Sequence, residues 1–413
     1  MNDVKSDSDT ARILPPPLDG VKILDLTRIL SGPFATLLLV DLGATVWKVE
    51  HRNGDDTRKI PPVVSGESHY FMSVNRGKKS IVIDLSTERG RSLALELAAK
   101  ADVVIENFRP GVADRLGIGY ESVRKVNERI VYCSISGFGS TGAMRNGPAF
   151  DVAIQAFSGL MSITGEPGRR PVRAGIPIAD LVAGMMGVIG ILAALNQRDR
   201  TGIGQFVDVS MLDSMLGLLT YWAGRYFLTG EVPGPTGGEH PSLVPYGVFE
   251  ASDGYLVIAT LSEGYWPRLC RAIGRPELAD HPDFADNARR VAHRAEVDST
   301  VQAEISKFPV SFWISVFAEH DIPGAPILRV DEALNNEQVS ARGLIHQIVH
   351  PTVGPMKAVG PVIAFGGSTS PEVTPAPLLG QQGEEILRGV LGLTDPEIRH
   401  LLDAGAIALP NQD

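Results

Sequence analysis

The chain has 413 residues, of which 44% are hydrophobic and 21% are charged, as is ordinary for a globular protein. This length exceeds what one hydrophobic core usually organises, so it predicts two domains. The 48 acidic and 38 basic residues give a net charge of −10, which argues against a nucleic-acid partner. Cys133 and Cys270 lie far apart without metal-ligating neighbours, which suits a reducing cytoplasm.

Two segments bear on secretion and membranes. The N-terminal segment MNDVKSDSDTAR is polar and lacks the apolar stretch of a secretion signal, so we expect a cytoplasmic protein. The longest apolar run, Leu181–Leu195, is shorter than a membrane span and contains Gly184, Gly187 and Gly190. It predicts a buried helix that packs closely against a neighbour, and no membrane association.

Strand and helix patterns alternate from Val21 onward. Val21–Thr27 has the pattern of a buried strand, Ser31-Gly32-Pro33 begins a helix that ends at Gly43, and Val46–Glu50 is a second strand. This βαβ unit predicts a parallel sheet. Its first turn reads RILSGPF in place of G-x-G-x-x-G, so we do not expect a nicotinamide cofactor.

The same alternation continues beyond the first unit and predicts an α/β domain with its sheet covered on both faces. Further strands are predicted at Ser80–Leu85, Val103–Phe108, Ile130–Ser136 and Gln205–Met211. Further helices are predicted at Thr87–Ala101, Tyr120–Asn127, Asp151–Met161 and Leu212–Leu228.

The composition changes at Gly230–Pro245, where prolines and glycines indicate a linker or an ordered loop. Tyr246–Glu250 and Tyr255–Ala259 then predict a hairpin with an Asp-Gly turn. Helical patterns follow near Ser262–Ile273, Ala295–Lys307 and Ser311–His320, and after Ile327 come short strands and a helix near Glu384–Leu391. We therefore predict a large domain at 18–228, a linker at 229–245, a small α+β domain at 246–328, and a return to the large domain at 329–413.

Asp180 is the single acid at the start of the long apolar run, and it has two interpretations. A carboxylate that opens an apolar helix lies where the helix dipole favours negative charge and where burial can keep it reactive. The other interpretation is an N-cap aspartate on a core helix, which is the commoner case for this spacing. Spacing alone leaves both open.

Other polar stretches offer ligand contacts. Glu106–Gly111 (ENFRPG) follows a strand, at the sheet edge where α/β folds bind ligands, and with Arg115 it offers cations for phosphates. Asn75–Ser80 (NRGKKS) is either a solvated charged face or a phosphate site. Asp151 follows a glycine-rich loop and is explained by capping alone. Gly237-Gly238 would suit a lid or an ordinary loop.

In this order and spacing, six segments resemble the family III CoA-transferases, the group of formyl-CoA transferase, carnitine CoA-transferase and alpha-methylacyl-CoA racemase. The resemblance covers residues 18–395. The matching segments are LDLTRILSGPFATLLLVDLGATVWKVE, NRGKKSIVIDL, VIENFRPGVADRLG, ISGFGSTG, the Asp180 segment and GQFVDVSM.

The resemblance implies a fold and a reaction. The fold would be an interlocked homodimer of a Rossmann-like large domain and a small domain. Asp180 would attack an acyl-CoA to form a mixed anhydride, then an aspartyl-CoA thioester, and finally pass CoA to an acceptor acid. The partners are therefore acyl-CoA and small carboxylates, with coenzyme A as part of the substrate and neither a tightly bound cofactor nor a metal.

The resemblance also assigns roles to single residues. The expected CoA contacts are Ile83, Ser86, Asn107, Phe108, Arg109, Arg115 and Arg52. The expected substrate contacts are Ser31, Asp151 and Arg173, the last by its charge alone. This chain departs from the family pattern at three places. His51, followed by Arg52, stands where formyl-CoA transferase has an arginine; Ser86 stands where the family can use a lysine; and Gly237-Gly238 replaces the four-glycine loop of formyl-CoA transferase.

Two alternatives follow from the same resemblance. Racemases have a histidine directly before the acid that matches Asp151, and Phe150 at that position cannot carry a proton. A catalytically silent CoA-binding protein would not need Asp180. Several segments look most like members that handle dicarboxylates, such as succinyl-CoA:glutarate CoA-transferases; they are SVNRGKKS, PVRAGIPIADL, the stretch His240–Tyr246 and HPTVG. We therefore expect a dicarboxylyl-CoA donor such as succinyl-CoA.

Overall fold

The structure of the chain is a computed structural model, and it describes residues 13–410. The polar N-terminal segment discussed above lies outside these residues. Within them the strands are β1 Lys22–Asp25, β2 Thr45–Glu50, β3 Val63–Val64, β4 Glu67–Ser68, β5 Lys79–Ile83, β6 Val103–Glu106, β7 Val131–Ser136, β8 Gln205–Ser210, β9 Tyr246–Glu250, β10 Tyr255–Ala259, β11 Gly324–Pro326, β12 Ile345–His350, β13 Gly354–Val359 and β14 Ile407–Ala408.

Helices connect most of these strands. They are α1 Ser31–Asp41, α2 His69–Asn75, α3 Glu88–Ala98, α4 Val112–Arg115, α5 Tyr120–Val126, α6 Asp151–Phe157, α7 Leu160–Ile163, α8 Ile178–Thr201, α9 Met211–Leu218, α10 Thr220–Thr229, α11 Tyr265–Ala272, α12 Asn287–Ala292, α13 Arg294–Ile305, α14 Val310–Glu319, α15 Val330–Leu334, α16 Glu337–Ala341, α17 Gly383–Gly389 and α18 Asp395–Asp403. Short 3₁₀ turns cover Asp56–Lys59 and Pro276–Asp280.

The described residues form two compact units. Unit 1 takes those within Met1–Leu160, Ala174–Gly224 and Arg342–Asp413, and unit 2 takes Met161–Arg173 and Arg225–Ala341. The domain limits inferred from the sequence, at 18–228, 246–328 and 329–413, stay a prediction, because this division into compact units does not test them.

Unit 1 is built on a seven-stranded sheet with the strand order β14-β5-β2-β1-β6-β7-β8. Six strands are parallel, as the βαβ pattern predicts, whereas β14 pairs antiparallel with β5 through Ile407 and Ile83. The sheet is therefore mixed, which corrects the expectation of a purely parallel one. A strand of two residues has no periodicity that a sequence pattern can detect.

The strands of this sheet have buried side chains on both faces. Ile23, Val103 and Cys133 belong to one hydrophobic cluster, which α1, α8 and α9 cover. Their neighbours Leu24 and Val104 belong to a second cluster, which α3, α5, α17 and α18 cover. Because successive side chains point to opposite faces, strands buried on both sides appear as continuous apolar runs, and that property made them predictable.

The long helix α8 lies in the first of these clusters. It has 24 residues, more than the predicted apolar run, and by length and composition alone it would pass as a membrane span. Half of its apolar 18-residue window is buried inside the protein. Gly184, Gly187 and Gly190 let it approach Ser31, Ile135 and Val207 closely.

Unit 2 contains the predicted hairpin, β9 paired with β10, and β11 adds a third antiparallel strand. Its own core includes Trp266, Leu269, Val301 and Trp313.

The predicted single helix over Leu212–Leu228 is wrong. The chain forms two helices there, α9 and α10, and Thr220 at the start of α10 has a φ of +38°.

Candidate active site

The strand order of unit 1 reverses at β1. The chain proceeds from β1 to β2 and β5 on one side and to β6, β7 and β8 on the other. In open α/β sheets the crevice beyond the carboxyl ends of the strands at such a reversal is the usual place for ligands. Two cavities lie there, and their linings contain most of the predicted site residues.

The large cavity has a volume of about 460 Å³ and opens at the ends of β1, β2, β5 and β6. A CoA-sized nucleotide requires a cleft on this scale. It is lined by Leu26, Thr27, Arg28, Lys48, Val49, Glu50, His51, Asn53, Gly54, Asp55, Asp56, Lys59, Ile83, Asp84, Leu85, Ser86, Phe108 and Leu116.

The second cavity, which we call the Asp180 cavity, has a volume of about 120 Å³. Phe108 lines both cavities. The lining of the Asp180 cavity is Ile29, Leu30, Ser31, Asn107, Phe108, Arg109, Pro110, Ile135, Ser136, Gly137, Arg145, Gly147, Ala149, Phe150, Asp180 and Met211. The ENFRPG turn therefore separates a large cleft from a small pocket that contains one carboxylate.

Asp180 is not the N-cap of its helix. The cap position is Pro177, which makes no side-chain cap, and Asp180 lies in the first turn of α8. Burial, together with the nearby charge of Asp151, raises the pKa of Asp180 to about 7, while the Ser31 hydroxyl opposes the rise. The interpretation of Asp180 as an N-cap is therefore wrong. A carboxylate with a perturbed pKa that faces a cavity is a candidate functional group, and the catalytic role of Asp180 stays a prediction.

Asp151 supports the start of α8 from outside. Its Oδ1 accepts a hydrogen bond from the backbone N–H of Ala179 at 2.9 Å, and its Oδ2 accepts one from Gln155 Nε2 at 2.6 Å. The capping expected of Asp151 thus exists, but it serves the helix that carries Asp180 and not its own helix α6. The two carboxylates are close enough to repel each other.

The predicted CoA contacts fall into two groups. Ile83 and Ser86 line the large cavity, Arg109 and Asn107 line the Asp180 cavity, and Phe108 lines both. Arg52 and Arg115 are absent from both linings.

Arg52 instead lies 3.3 Å from Asp84 Oδ2 and donates to the carbonyl of Gly405, and Arg115 is exposed on α4. Ser86 donates to Asp84 Oδ1 at 2.6 Å. Arg173 belongs to unit 2. The roles that the resemblance gave all these residues stay predictions.

The three cations of the stretch Asn75–Ser80 all form ion pairs, and two of them are buried. Arg76 forms a two-pronged pair with Asp41 at 2.6 and 2.7 Å, and Lys79 pairs with Glu385 at 2.6 Å. Lys78 is fully buried and donates to Asp25, Pro33 O and Asn75 Oδ1. The interpretation as a solvated face is therefore wrong for Arg76 and Lys78, which are buried, whereas Lys79 is partly exposed in its pair with Glu385.

Two features escaped the sequence analysis. Beneath the large cavity, Lys48 donates to Asp55 Oδ2 at 3.1 Å and to Thr27 O at 2.9 Å, and both charged side chains are buried. Tyr70 on α2 lies near Asp180 and Asp151, whose charges add to burial in raising the pKa of its phenol. No local motif marks either feature: Lys48 and Asp55 are only seven residues apart but belong to no recognised pattern, and Tyr70 is distant in sequence from Asp151 and Asp180.

Comparison with known proteins places this geometry in a family. Residues 18–383 match the model of CoA-transferase family III. The chain is 41% identical to the succinyl-CoA:glutarate CoA-transferase of Mus musculus, over 98% of this chain and 92% of that protein. It is 42% identical to the acetyl-CoA:oxalate CoA-transferase of Acetobacter aceti, over 89% of this chain and 94% of that protein.

A solved structure agrees with the fold. A CaiB/BaiF family protein from Brucella suis superposes with a TM-score of 0.82 at 38% identity, covering 91% of this chain and all of that one. The chain therefore belongs to CoA-transferase family III, and the resemblance noted from its sequence is confirmed.

Proposed function

We propose that this CoA-transferase moves CoA from succinyl-CoA, or another dicarboxylyl-CoA, to a small carboxylate through covalent intermediates on Asp180. The observation that carries the proposal is Asp180 itself, a partly buried carboxylate whose pKa is raised to about 7 in a cavity adjoining a nucleotide-sized cleft. Within the residues lining the Asp180 cavity it is the one carboxylate.

The proposed reaction balances without a redox step. The Asp180 carboxylate attacks the thioester carbonyl, the C–S bond breaks, and CoA thiolate leaves an acyl–aspartyl anhydride. The thiolate attacks the aspartyl carbonyl, which gives an aspartyl-CoA thioester and releases the donor acid. The acceptor carboxylate attacks that thioester to form a second anhydride, and the thiolate finally takes the acceptor acyl group, which restores the Asp180 carboxylate.

The apolar part of the lining around Asp180 suits these intermediates. An anhydride is hydrolysed wherever water reaches it, and the lining of the Asp180 cavity includes Ile29, Leu30, Ile135, Phe150 and Met211. Phe150 stands where a racemase needs a proton carrier, which supports acyl exchange over proton exchange. In this proposal the large cavity takes the nucleotide of CoA, with Ile83, Ser86 and Phe108 against it, and the pantetheine passes Phe108 to reach Asp180.

The acceptor class rests on the relatives. The mouse protein is named for succinyl-CoA and glutarate and the Acetobacter protein for acetyl-CoA and oxalate, at nearly equal identity. We infer a dicarboxylate acceptor because both acceptors named are dicarboxylates. Arg173 remains the predicted partner of the distal carboxylate.

An exchange assay tests the acceptor. Purified protein is incubated with succinyl-CoA and, in turn, with glutarate, malate, itaconate, oxalate and formate, and the acyl-CoA products are measured by mass spectrometry. We expect a four- or five-carbon dicarboxylate to give the highest kcat/KM. Equal or better use of oxalate or formate would contradict that assignment while leaving CoA transfer intact. The Asp180→Ala variant serves as the inactive control.

A further inference from the structure

The loop between β1 and α1 separates the two cavities. Thr27 and Arg28 line the large cavity, and Ile29, Leu30 and Ser31 line the Asp180 cavity. Ile29 has φ +68°, a conformation that a β-branched residue adopts only when its surroundings impose it. The contacts that hold this loop therefore shape the site.

Asn107 on the ENFRPG turn supplies one such contact. Its Oδ1 accepts the backbone N–H of Arg28 at 2.8 Å, and its Nδ2 donates to the carbonyl of Arg28 at 2.8 Å. This double contact fixes which end of the amide is oxygen and which is nitrogen, because a flipped amide would face donor with donor and acceptor with acceptor. The amide bridges the ends of β1 and β6, where the strand order reverses.

The second N–H of the same amide is directed at Ser31. Asn107 Nδ2 lies 3.3 Å from Ser31 Oγ, which is buried at the start of α1. An amide nitrogen has two protons, so the contacts to Arg28 O and Ser31 Oγ use both. Both protons of the Asn107 side-chain nitrogen are then used inside the protein.

Ser31 in turn faces Asp180. Gly184 lies one turn beyond Asp180 on the same face of α8, and a Cβ at Gly184 would come within 2.7 Å of Ser31 O, so the two helices meet here without space between them. Ser31 and Asp180 line the same small cavity, and the Ser31 hydroxyl opposes the rise in the pKa of the Asp180 carboxyl. A hydroxyl has one proton, and when it accepts from Asn107 that proton is free to point at Asp180.

We propose that Asn107 is a positioning residue that acts through Ser31, which it orients so that the Ser31 hydroxyl donates its proton to the Asp180 carboxylate. The relay runs from Asn107 Nδ2–H to Ser31 Oγ and from Ser31 O–H to Asp180. It favours the ionised, nucleophilic form of Asp180 against burial and the charge of Asp151. This inference rests on the proposed role of Asp180 as the nucleophile.

The test measures the ionisation of Asp180 directly and therefore does not depend on turnover. The full chain is labelled with [γ-¹³C]aspartate, the Asp180 resonance is assigned by its loss in Asp180→Asn, and its chemical shift is followed from pH 4 to 10. The variants are Ser31→Ala, Ser31→Thr and Asn107→Leu, with Asn107→Ala as the substitute should Asn107→Leu not fold. Ser136→Ala is the matched control, because Ser136 is a buried hydroxyl of the same cavity whose Oγ has no hydrogen-bond partner in the described residues.

We expect Ser31→Ala and Asn107→Leu each to raise the apparent pKa of Asp180 by about 0.5 to 1 pH unit. Ser31→Thr keeps a hydroxyl and should restore the pKa of the unmodified protein, and Ser136→Ala should leave it in place. The acid limb of the pH profile of kcat/KM should move in parallel.

Three results would overturn the relay. They are an unchanged pKa in Ser31→Ala, an unchanged pKa in Asn107→Leu beside a shifted one in Ser31→Ala, and an equal shift in Ser136→Ala. If the pKa shifts are as expected but no covalent adduct forms on Asp180, the relay is supported and the proposed role of Asp180 as the nucleophile is wrong. The two failures are thus distinguishable.

Discussion

At the scale of the residue, the chemistry of Asp180 is set by neighbours that no local motif contains. The negative charge of Asp151 on α6 and the hydroxyl of Ser31 on α1 both act on the pKa of Asp180. At the N-terminus of α8, the backbone N–H of Ala179 donates its hydrogen bond to Asp151. Capping and catalysis could not be separated by spacing because both place an acid in the first turn of a helix. The hydrogen bond from Ala179 N–H to Asp151 shows that another acid caps this helix, and the catalytic role of Asp180 stays a proposal.

The raised pKa of Asp180 predicts a pH dependence. The nucleophile is the carboxylate, so CoA exchange should increase as the pH rises through about 7. Asp151→Asn removes a negative charge that raises this pKa, so the rise should occur at lower pH in that variant. Initial rates of exchange between pH 5 and 9 measure both. A rate that is independent of pH across this range, or a shift to higher pH in Asp151→Asn, would contradict the assigned environment.

The cations of Asn75–Ser80 show where sequence reasoning stops at this scale. Lys78 is paired with Asp25, which is 53 residues away in the chain. A run of charges is ordinarily solvated, and only the fold shows that Asp25, at the end of β1, forms a buried ion pair with Lys78. Asp180 was found because it is the one acid before an apolar run, whereas Lys48 and Asp55 carry no such signal.

At the scale of the element, the strands and long helices were predictable, and the short or broken ones were not. The strands of the parallel part of the sheet follow from continuous apolar runs, and α1 ends beside Gly43 as its sequence indicates. The helix α18 was missed although its start carries a capping box of Thr394 and Glu397 and a proline in its first turn. The strand β14 has only two residues, too few for a pattern to be detected. The interruption between α9 and α10 falls at Leu219-Thr220, where neither residue is a glycine or a proline that would indicate a helix end.

The glycines of α8 give a prediction at this scale. Gly184→Ala places a methyl group 2.7 Å from the carbonyl oxygen of Ser31, so α1 and α8 must separate. We expect a loss of about 1–3 kcal/mol in the free energy of unfolding, together with reduced exchange activity. Gly217→Ala is the control, since a Cβ there meets nothing within 4 Å and should stabilise its helix by about 0.5–1 kcal/mol. Chemical denaturation measures both, and equal stability of the two variants would contradict the close approach.

At the scale of the whole molecule, the α/β fold of the chain was predictable and its assembly was not. The alternation of strand and helix patterns gave the α/β class, which the likeness to the Brucella protein confirms. The interlocked homodimer was implied by resemblance only, and we propose it here. Its support is an apolar surface on α8, where Met185, Met186 and Ile189 are exposed by 39%, 39% and 58%.

The dimer proposal predicts slow exchange of subunits. Tagged and untagged proteins, mixed after separate purification, should form no hybrid by native mass spectrometry until they are unfolded and refolded together. Ile189→Glu should weaken or abolish the dimer, and Val126→Glu, at a residue of similar exposure on α5, should not. A monomer at micromolar concentration, or hybrids formed within minutes of mixing, would contradict interlocking.

The covalent role of Asp180 is the central claim, and trapping its adduct tests it most directly. The protein is incubated with succinyl-CoA, quenched with hydroxylamine or borohydride, digested and sequenced by mass spectrometry. The account predicts a hydroxamate or an alcohol at Asp180 that requires succinyl-CoA, none at Asp151, and a loss of exchange of roughly 10³-fold or more in Asp180→Ala. An unmodified Asp180 during turnover, or exchange that survives Asp180→Ala, would contradict it.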